Sequence, residues 1–176
     1  MTTADPSGRR PPGPVIRCGP RHLPAIREIF NHEIAHTTAL YEYEPRSAET
    51  VAAWFAAKET AGLLVLGVEA DDGSLVGFAT FGPFRPFAAY VHTVEHSLYV
   101  DRAHRGRGIG RSLLDGLVAE ARGRGLHVMV GGIDSANAAS IALHRRLGFS
   151  HCGTVREAGW KFGRWLDLEF WQLVLG

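Results

Sequence analysis

A glycine- and arginine-rich loop constrains the fold of this chain more than any other feature. It reads Arg105-Gly106-Arg107-Gly108-Ile109-Gly110, follows the predicted strand Tyr90–Asp101 and opens the predicted helix Ile109–Arg122. Glycines let backbone N–H groups approach an anion closely, and a helix N-terminus carries a partial positive charge. The arginines of the loop, with Arg111 just after it, add positive side chains. The segment therefore predicts a site for a pyrophosphate or polyphosphate group.

Two common phosphate-binding motifs do not fit this loop. A Walker A loop requires G-x-x-x-x-G-K-S/T, and no lysine is present here. The dinucleotide fingerprint G-x-G-x-x-G also fails, because the glycines fall at positions 106, 108 and 110. Taken alone, the loop is also compatible with a turn that only caps a helix, so its function has to be read from the rest of the chain.

A second segment carries a resemblance to a known family. The loop resembles the pyrophosphate loop R/Q-x-x-G-x-G/A of the GNAT superfamily of N-acetyltransferases. The segment Asn137–Phe149 resembles the next motif of that superfamily, N-x-x-A/S-x-x-L-Y/H-x-x-x-G-F/Y. Asn137, Ser140 and His144 would share one face of a helix there. In the family this face meets the pantetheine arm and the acyl thioester.

The resemblance implies a mixed α/β (α+β) fold, with a central twisted sheet of about six to seven strands flanked by about four helices. We expect a single domain over residues 15–176, after a segment 1–14 whose Pro, Gly, Ser and Arg content is typical of a disordered tail. Hydrophobic periodicity predicts the helices His22–His36, Ser47–Lys58, Ile109–Arg122 and Asn137–Leu147. It predicts the strands Val15–Cys18, Leu63–Ala70, Leu75–Phe81, Tyr90–Asp101, His127–Ile133, Ser150–Glu157 and Trp165–Leu175.

Acetyl-CoA is the co-substrate that the resemblance implies, with no metal. The residues implied to hold it are Leu98, Tyr99, Val100, Arg105, Gly106, Arg107, Gly108, Ile109, Gly110, Arg111, Asn137 and Ser140.

Longer matches point to one branch of the superfamily. The stretches Gly82–Val100, His127–Ile133 and Lys161–Leu168 resemble the phosphinothricin and methionine sulfoximine acetyltransferases. That branch acetylates the α-amino group of amino acids with a tetrahedral polar side-chain end. The implied substrate-binding residues are Phe84, Arg85, Pro86, Phe87, Tyr90, Thr93, Glu95, His96 and Ser97. Phe84, Pro83 and Tyr41 depart from the usual residues of the branch, and Phe87 is of the methionine sulfoximine type, so the preferred substrate stays open while the reaction does not.

Glu95 and His144 are the predicted catalytic residues. An α-ammonium cannot attack a thioester until it loses a proton, and the departing thiolate must regain one. Glu95 could bind the ammonium and accept its proton, while His144 could protonate the thiolate or act as a base beside Glu95. Strand alternation places Glu95 and His96 on opposite faces. The N–H of Leu98 is the family-like oxyanion donor, exposed where the strand would bulge away from its neighbour.

A zinc-peptidase motif, H-x-x-E-H, also occurs at residues 92–96. It needs a helix to bring both histidines to one metal ion. The segment is β-branched and reads as a strand, so we expect no metal site. Arg85, with its bidentate guanidinium, is instead the natural partner of an anionic group on the substrate.

Composition limits the possible partners. The formal net charge is +1, without the basic excess typical of a nucleic-acid-binding protein. No apolar stretch is long enough to span a membrane and the N-terminus has no signal-peptide pattern, so we expect a cytoplasmic protein. The C-terminal aromatic residues favour a homodimer. The alternatives are an acetyltransferase for another small amine or a peptide N-terminus, and a non-catalytic acyl-CoA-binding regulator.

Overall fold

The computed structural model describes residues 13–176. Within them one sheet takes its strands in the order β1-β2-β3-β4-β5-β7-β6. The strands are β1 (Val15–Arg17), β2 (Val65–Glu69), β3 (Leu75–Pro83), β4 (Thr93–Val100), β5 (Val128–Asp134), β6 (Ser150–Lys161) and β7 (Arg164–Val174). The helices are α1 (Leu23–His36), α2 (Ala48–Thr60), α3 (Ile109–Gly123) and α4 (Ala138–Arg146), with short 3-10 turns at Pro20–His22, Ala88–Tyr90 and Arg102–His104.

The sheet carries helices on both faces. Successive residues of a strand point to opposite faces. A Cβ added at Gly77 would lie 3.0 Å from Ile109 of α3, whereas the next residue, Phe78, packs on Phe30 of α1. α3 and α1 therefore cover opposite faces of β3. The absence of a side chain at Gly77 is what lets α3 approach the sheet closely.

Local chemistry explains where the helices begin. Ser47 accepts a hydrogen bond from the N–H of Thr50, which satisfies one of the N–H groups that a helix start leaves unbonded. Asn137 does the same for Ser140 at the start of α4. α3 buries one apolar stripe and exposes the other side, as its 3.6-residue pattern predicts. The stripe consists of Ile109, Leu113, Leu114, Leu117, Val118 and Ala121.

Strand β4 pairs along most of its length with one neighbour and only briefly with the other. It pairs with β3 in antiparallel orientation over seven consecutive residue pairs, from Gly77–Val100 to Pro83–Val94. Its parallel pairing with β5 covers only the three pairs from Thr93–Val128 to Glu95–Val130. Beyond Glu95 the two strands separate. The gap between them is the place where this sheet can receive a ligand.

The predicted fold class is confirmed, including the sheet of seven strands and the four helices. The strand predicted over Tyr90–Asp101 was wrong at its start, because Ala88–Tyr90 is a 3-10 turn and the strand begins at Thr93. Phe87, Tyr90 and Val91 at this turn are exposed, so no sheet neighbour favours an extended backbone there. The predicted tail lies outside the described residues, apart from positions 13 and 14.

Candidate active site

The gap between β4 and β5 exposes backbone groups of β4. The N–H of Asp101 donates to Val76 of β3, and along a strand these groups alternate between its two sides. The N–H groups of Leu98 and Val100 therefore face β5, from which β4 has already separated. The N–H of Leu98, the predicted oxyanion donor, thus faces the gap where β4 moves away from β5, while β3 and β4 keep one continuous register from Gly77 to Pro83.

A larger cleft of about 580 Å³ opens at this gap. Its walls come from the end of β4, the glycine-rich loop, the start of α3 and one face of α4. The predicted acetyl-CoA residues that line it are Leu98, Tyr99, Val100, Arg105, Gly106, Gly108, Ile109, Gly110, Asn137 and Ser140. The remaining two, Arg107 and Arg111, lie outside its wall.

The loop has the backbone conformation that an anion site needs. Gly106 and Gly108 have φ angles of 74° and 84°, values that residues with a Cβ rarely adopt. Gly108 is the N-cap of α3. The first N–H groups of a helix have no acceptor inside the helix, so those of α3 point toward the larger cleft together with its partial positive charge. These donors fit the pyrophosphate of acetyl-CoA.

The arginines of the loop already have partners. Arg105 lies in the wall of the larger cleft, where its guanidinium pairs with the buried Glu33 of α1 and its Nε donates to Val100 at 3.1 Å. Arg107 donates to the carbonyl of Ala103. Arg105 therefore fastens the loop to α1 and to the end of β4, so the backbone amides are the main anion donors in this geometry.

A smaller cleft of about 250 Å³ adjoins the larger one. Six residues line both: Thr38, Ala39, Leu98, Tyr99, Asn137 and Ser140. Glu95 lies in the smaller cleft with 36 % of its side chain exposed. Burial raises the pKa of its carboxyl, and the nearby charge of Arg85 opposes that shift. A carboxylate with a raised pKa at a cleft is suited to accept a proton from a bound ammonium.

The predicted substrate residues are divided between two depressions. Glu95, His96 and Ser97 line the smaller cleft. Another group lines a separate groove of about 380 Å³, with Arg85, Pro86, Phe87, Tyr90 and Thr93 in its wall. The guanidinium of Arg85 connects the two groups, because it lies 3.7 Å from the Glu95 carboxylate. Phe84 lies under that guanidinium, 4.1 Å from ring centroid to Cζ.

His144 lies in the wall of the smaller cleft and also contacts His96. The Nε2 atoms of the two rings are 2.9 Å apart, and the Nδ1 atom of His144 lies 2.7 Å from the carbonyl oxygen of Ser140. Burial and the neighbouring His144 lower the pKa of His96 to about 3. Burial also lowers the pKa of His144. Both rings are therefore neutral near pH 7.

Comparison with known proteins adds independent information. The family model described as "Acetyltransferase (GNAT) family" matches residues 24–149. An L-methionine sulfoximine/L-methionine sulfone acetyltransferase of Salmonella typhimurium is 48 % identical over 151 residues, which is 86 % of this chain and 88 % of that protein. A phosphinothricin N-acetyltransferase of Alcaligenes faecalis is 38 % identical over 154 residues, covering 87 % and 78 % of the two chains.

The structural comparison gives the same family. A GNAT phosphinothricin acetyltransferase of Sinorhizobium meliloti, solved in complex with AcCoA, superposes with a TM-score of 0.89 at 35 % identity, covering 92 % of this chain and 88 % of that one. This chain belongs to the GNAT family of acetyltransferases. In this GNAT enzyme, acetyl-CoA is the co-substrate, and the larger cleft has the backbone donors to hold it.

Sequence reasoning missed two polar residues of this GNAT site, Glu33 and Asp134, and named Tyr41 only as a departure from the branch. Glu33 was read only as part of an amphipathic helix, yet it is buried and pairs with Arg105. Tyr41 and Asp134 line the smaller cleft, and burial with the charge of Asp134 raises the pKa of Tyr41 to about 12. Only the position of Asp134, directly after an apolar strand and before the Asn137 motif, offered a signal for it.

The H-x-x-E-H segment forms a turn and the start of β4, and it is not a helix. Across residues 13–176, no three His, Cys, Asp or Glu side chains gather closely enough to bind a metal ion. In the same range, every helix is too short or too polar to cross a bilayer.

The histidine pair predicts how stability depends on pH. Both folded-state pKa values lie below the ordinary 6.5, so the unfolded chain binds more protons as the pH falls below that value. We expect the free energy of unfolding to be highest above pH 6.5 and to decrease below it, by about 1.4 kcal/mol per pH unit from His96, with a contribution of the same sign from His144. Urea unfolding at pH 7.5, 6.5 and 5.5 measures this, and a flat profile would contradict it. In His96→Gln, which lacks one of the two histidines, the free energy of unfolding should decrease less steeply as the pH falls.

Proposed function

We propose that this acetyltransferase transfers the acetyl group of acetyl-CoA to the α-amino group of a small amino acid of the methionine sulfoximine, methionine sulfone or phosphinothricin type. The observation that carries the proposal is the position of Glu95 in a small cleft that shares its walls with the acetyl-CoA cleft. The names of the relatives support the class of acceptor. The relative with 48 % identity favours the sulfoximine and sulfone end of that class.

The residues of the smaller cleft support direct transfer. Acetyl-CoA supplies the acetyl thioester. Glu95 binds the substrate ammonium and takes its proton, directly or through one water, so that the amine can attack. The N–H of Leu98 donates a hydrogen bond to the thioester oxygen as it gains negative charge. The C–S bond breaks, the C–N bond remains, and the thiolate leaves with a proton that originates from the amine.

Arg85 is proposed to bind the α-carboxylate of the same substrate. Its guanidinium is 44 % exposed and adjacent to Glu95, so a zwitterionic amino acid would present its ammonium to Glu95 and its carboxylate to Arg85. Bidentate pairing with a carboxylate is the geometry that arginine favours. Such a pairing selects a free amino acid over a polyamine, which lacks the carboxylate.

Arg85→Ala should therefore raise the KM for the amino acid by about tenfold, the effect of losing one charge-assisted hydrogen bond. The charge of Arg85 lowers the pKa of Glu95, so its removal should also move the acidic limb of the kcat/KM profile to higher pH. Steady-state kinetics between pH 5.5 and 8.5 would measure both effects. Arg17→Ala is a matched control, because Arg17 is exposed on β1 and lines none of the three depressions. An unchanged KM would rule out the proposed role.

A thiol-release assay tests the proposed function. Acetyl-CoA would be combined in turn with methionine sulfoximine, methionine sulfone, phosphinothricin, ordinary amino acids, a polyamine and a peptide. Turnover with the first three supports the proposal, and their order ranks the pocket. Turnover only with the polyamine or peptide would replace the substrate class. Acetyl-CoA binding without turnover on any amine would favour a non-catalytic acyl-CoA-binding regulator.

Two further predictions concern the assembly and its location. We propose a homodimer, supported by the exposed aromatic residues of the β6–β7 hairpin, Trp160, Phe162 and Trp165. Light scattering on the eluting protein distinguishes a dimer from a monomer.

We also propose a cytoplasmic location, in keeping with the free thiols at Cys18 and Cys152.

A further inference from the structure

The histidine pair lies where the two central strands part. The last residues paired between β4 and β5 are Glu95 and Val130, and the next residue on β4 is His96. Its ring meets that of His144 from α4, with centroids 4.9 Å apart and planes 18° from parallel. Phe149 closes the edge of both rings. The pair thus connects β4 to α4 at the first residue beyond the last β4–β5 residue pair.

Hydrogen-bond partners assign the protons of the pair. The carbonyl oxygen of Ser140 can only accept, so Nδ1 of His144 carries its proton and donates at 2.7 Å. A neutral His144 then has a bare Nε2, which must accept from the Nε2–H of His96 at 2.9 Å. This leaves Nδ1 of His96 as a bare nitrogen. It is one of two buried side-chain atoms without a hydrogen-bond partner among residues 13–176.

Strand β5 leaves room for the pair at one residue. A Cβ added at Gly131 would lie 2.8 Å from Nε2 of His96 and 3.0 Å from Nε2 of His144. Real Cβ atoms essentially never approach this closely, so any side chain at 131 would displace the imidazoles. Gly131 follows Val130, the last paired residue of β5. Three elements are therefore fitted to each other around one hydrogen bond.

We propose that the hydrogen-bonded pair of His96 and His144 holds α4 against β4 and β5 where the strands separate, and so positions two walls of the acetyl-CoA cleft. α4 and its N-cap contribute Asn137, Ser140 and Leu143 to that cleft, while β4 contributes Leu98. The histidine pair joins these two walls. His96 and His144 are then positioning residues of the proposed transfer reaction. His144 does not protonate the thiolate, because its one proton is bonded to Ser140 and its other nitrogen accepts from His96.

The first test separates the hydrogen bond from the volume of the ring. His96→Leu removes the donor and leaves a buried bare nitrogen on His144, whereas His96→Gln keeps an N–H donor. We expect His96→Leu to weaken acetyl-CoA binding about tenfold and His96→Gln to stay within about threefold of the wild type, by calorimetric titration. Wild-type binding by His96→Leu would overturn the proposal.

The second test keeps both imidazoles. Gly131→Ala should displace the pair and weaken acetyl-CoA binding to a similar extent, while Gly123→Ala should not, because no atom lies within 4 Å of a Cβ there. This comparison decides the question if His96→Leu fails to fold. Equal affinity of the two alanine variants for acetyl-CoA would overturn the positioning role of the histidine pair. Since the readout needs no amino acid, it stands even if the substrate panel refutes the proposed function.

The third test concerns proton transfer by His144. In His144→Gln the side-chain carbonyl can still accept from His96, but no imidazole remains. We expect weaker acetyl-CoA binding with a pH–rate profile of wild-type shape. A loss of kcat of about a hundredfold or more at saturating acetyl-CoA, with one limb of the profile abolished, would assign general acid–base chemistry to His144 and overturn its positioning role.

Discussion

Glu95→Gln is expected to lower kcat by at least about a hundredfold while the Kd for acetyl-CoA stays at its wild-type value. The amide keeps the size of the side chain but cannot take a proton from the substrate ammonium. Glu95 lines the smaller cleft and is absent from the wall of the larger one, so its replacement should leave acetyl-CoA binding intact. Stopped-flow or steady-state thiol release gives kcat, and calorimetric titration gives Kd.

The surroundings of Glu95 supply a control and a second expectation. Glu44→Gln makes the same chemical change at an exposed position and should leave kcat unchanged. Because burial raises the pKa of Glu95, the wild-type rate should fall as the pH drops through that raised value, and Glu95→Gln should lose this acidic limb. A variant that keeps full kcat and the limb would show that another group accepts the proton.

Phe78→Ala is expected to cost about 3–5 kcal/mol of the free energy of unfolding. Phe78 has no exposed surface and is surrounded by aromatic rings on the α1 face of the sheet. Its ring centroid is 4.9 Å from that of Phe30 and 5.4 Å from that of Tyr99. Truncation leaves a cavity that rigid helices on a sheet cannot close. Urea unfolding at pH 7.5 measures the loss.

The same change should reach the active site. Tyr99 lines both clefts and rests on Phe78, so the folded fraction of Phe78→Ala should also bind acetyl-CoA less tightly. Phe87→Ala is the control for stability, because Phe87 is 69 % exposed and surface changes usually cost less than about 0.5 kcal/mol. A loss below about 1 kcal/mol for Phe78→Ala would mean that the α1 face repacks around the cavity.

The local structure that the sequence could predict is clearest at the glycine-rich loop. The glycines at 106 and 108 predicted a backbone that an anion can approach closely, and both adopt positive φ angles in front of α3. The predicted helices Ser47–Lys58 and Asn137–Leu147 begin at the residues that cap α2 and α4, because a cap is a contact between residues three apart. The start of β4 was misread, because Tyr90 and Val91 have strand-like composition but are exposed and lie in a turn.

The active site shows where local pattern stops being informative. Glu95 and Arg85 were both singled out, yet they line different depressions joined by one ion pair. His144 was predicted to be catalytic, and its ring, in the wall of the smaller cleft, is bonded to a histidine 48 residues away. Arg105 was expected to bind phosphate and pairs with Glu33, which is 72 residues away. Such partners are set by how strands and helices stack, and no spacing along the chain encodes them.

The sequence by itself determined the elements, the glycine-rich loop before α3 and the family, because periodicity, caps and glycine positions act over a few residues. The tertiary structure alone decided which side chains meet, since contacts between distant residues depend on strand order and register. The separation of β4 from β5 after Glu95 is such a decision. It opens the cleft, frees the N–H of Leu98, and leaves beside Gly131 the space that the His96–His144 pair fills.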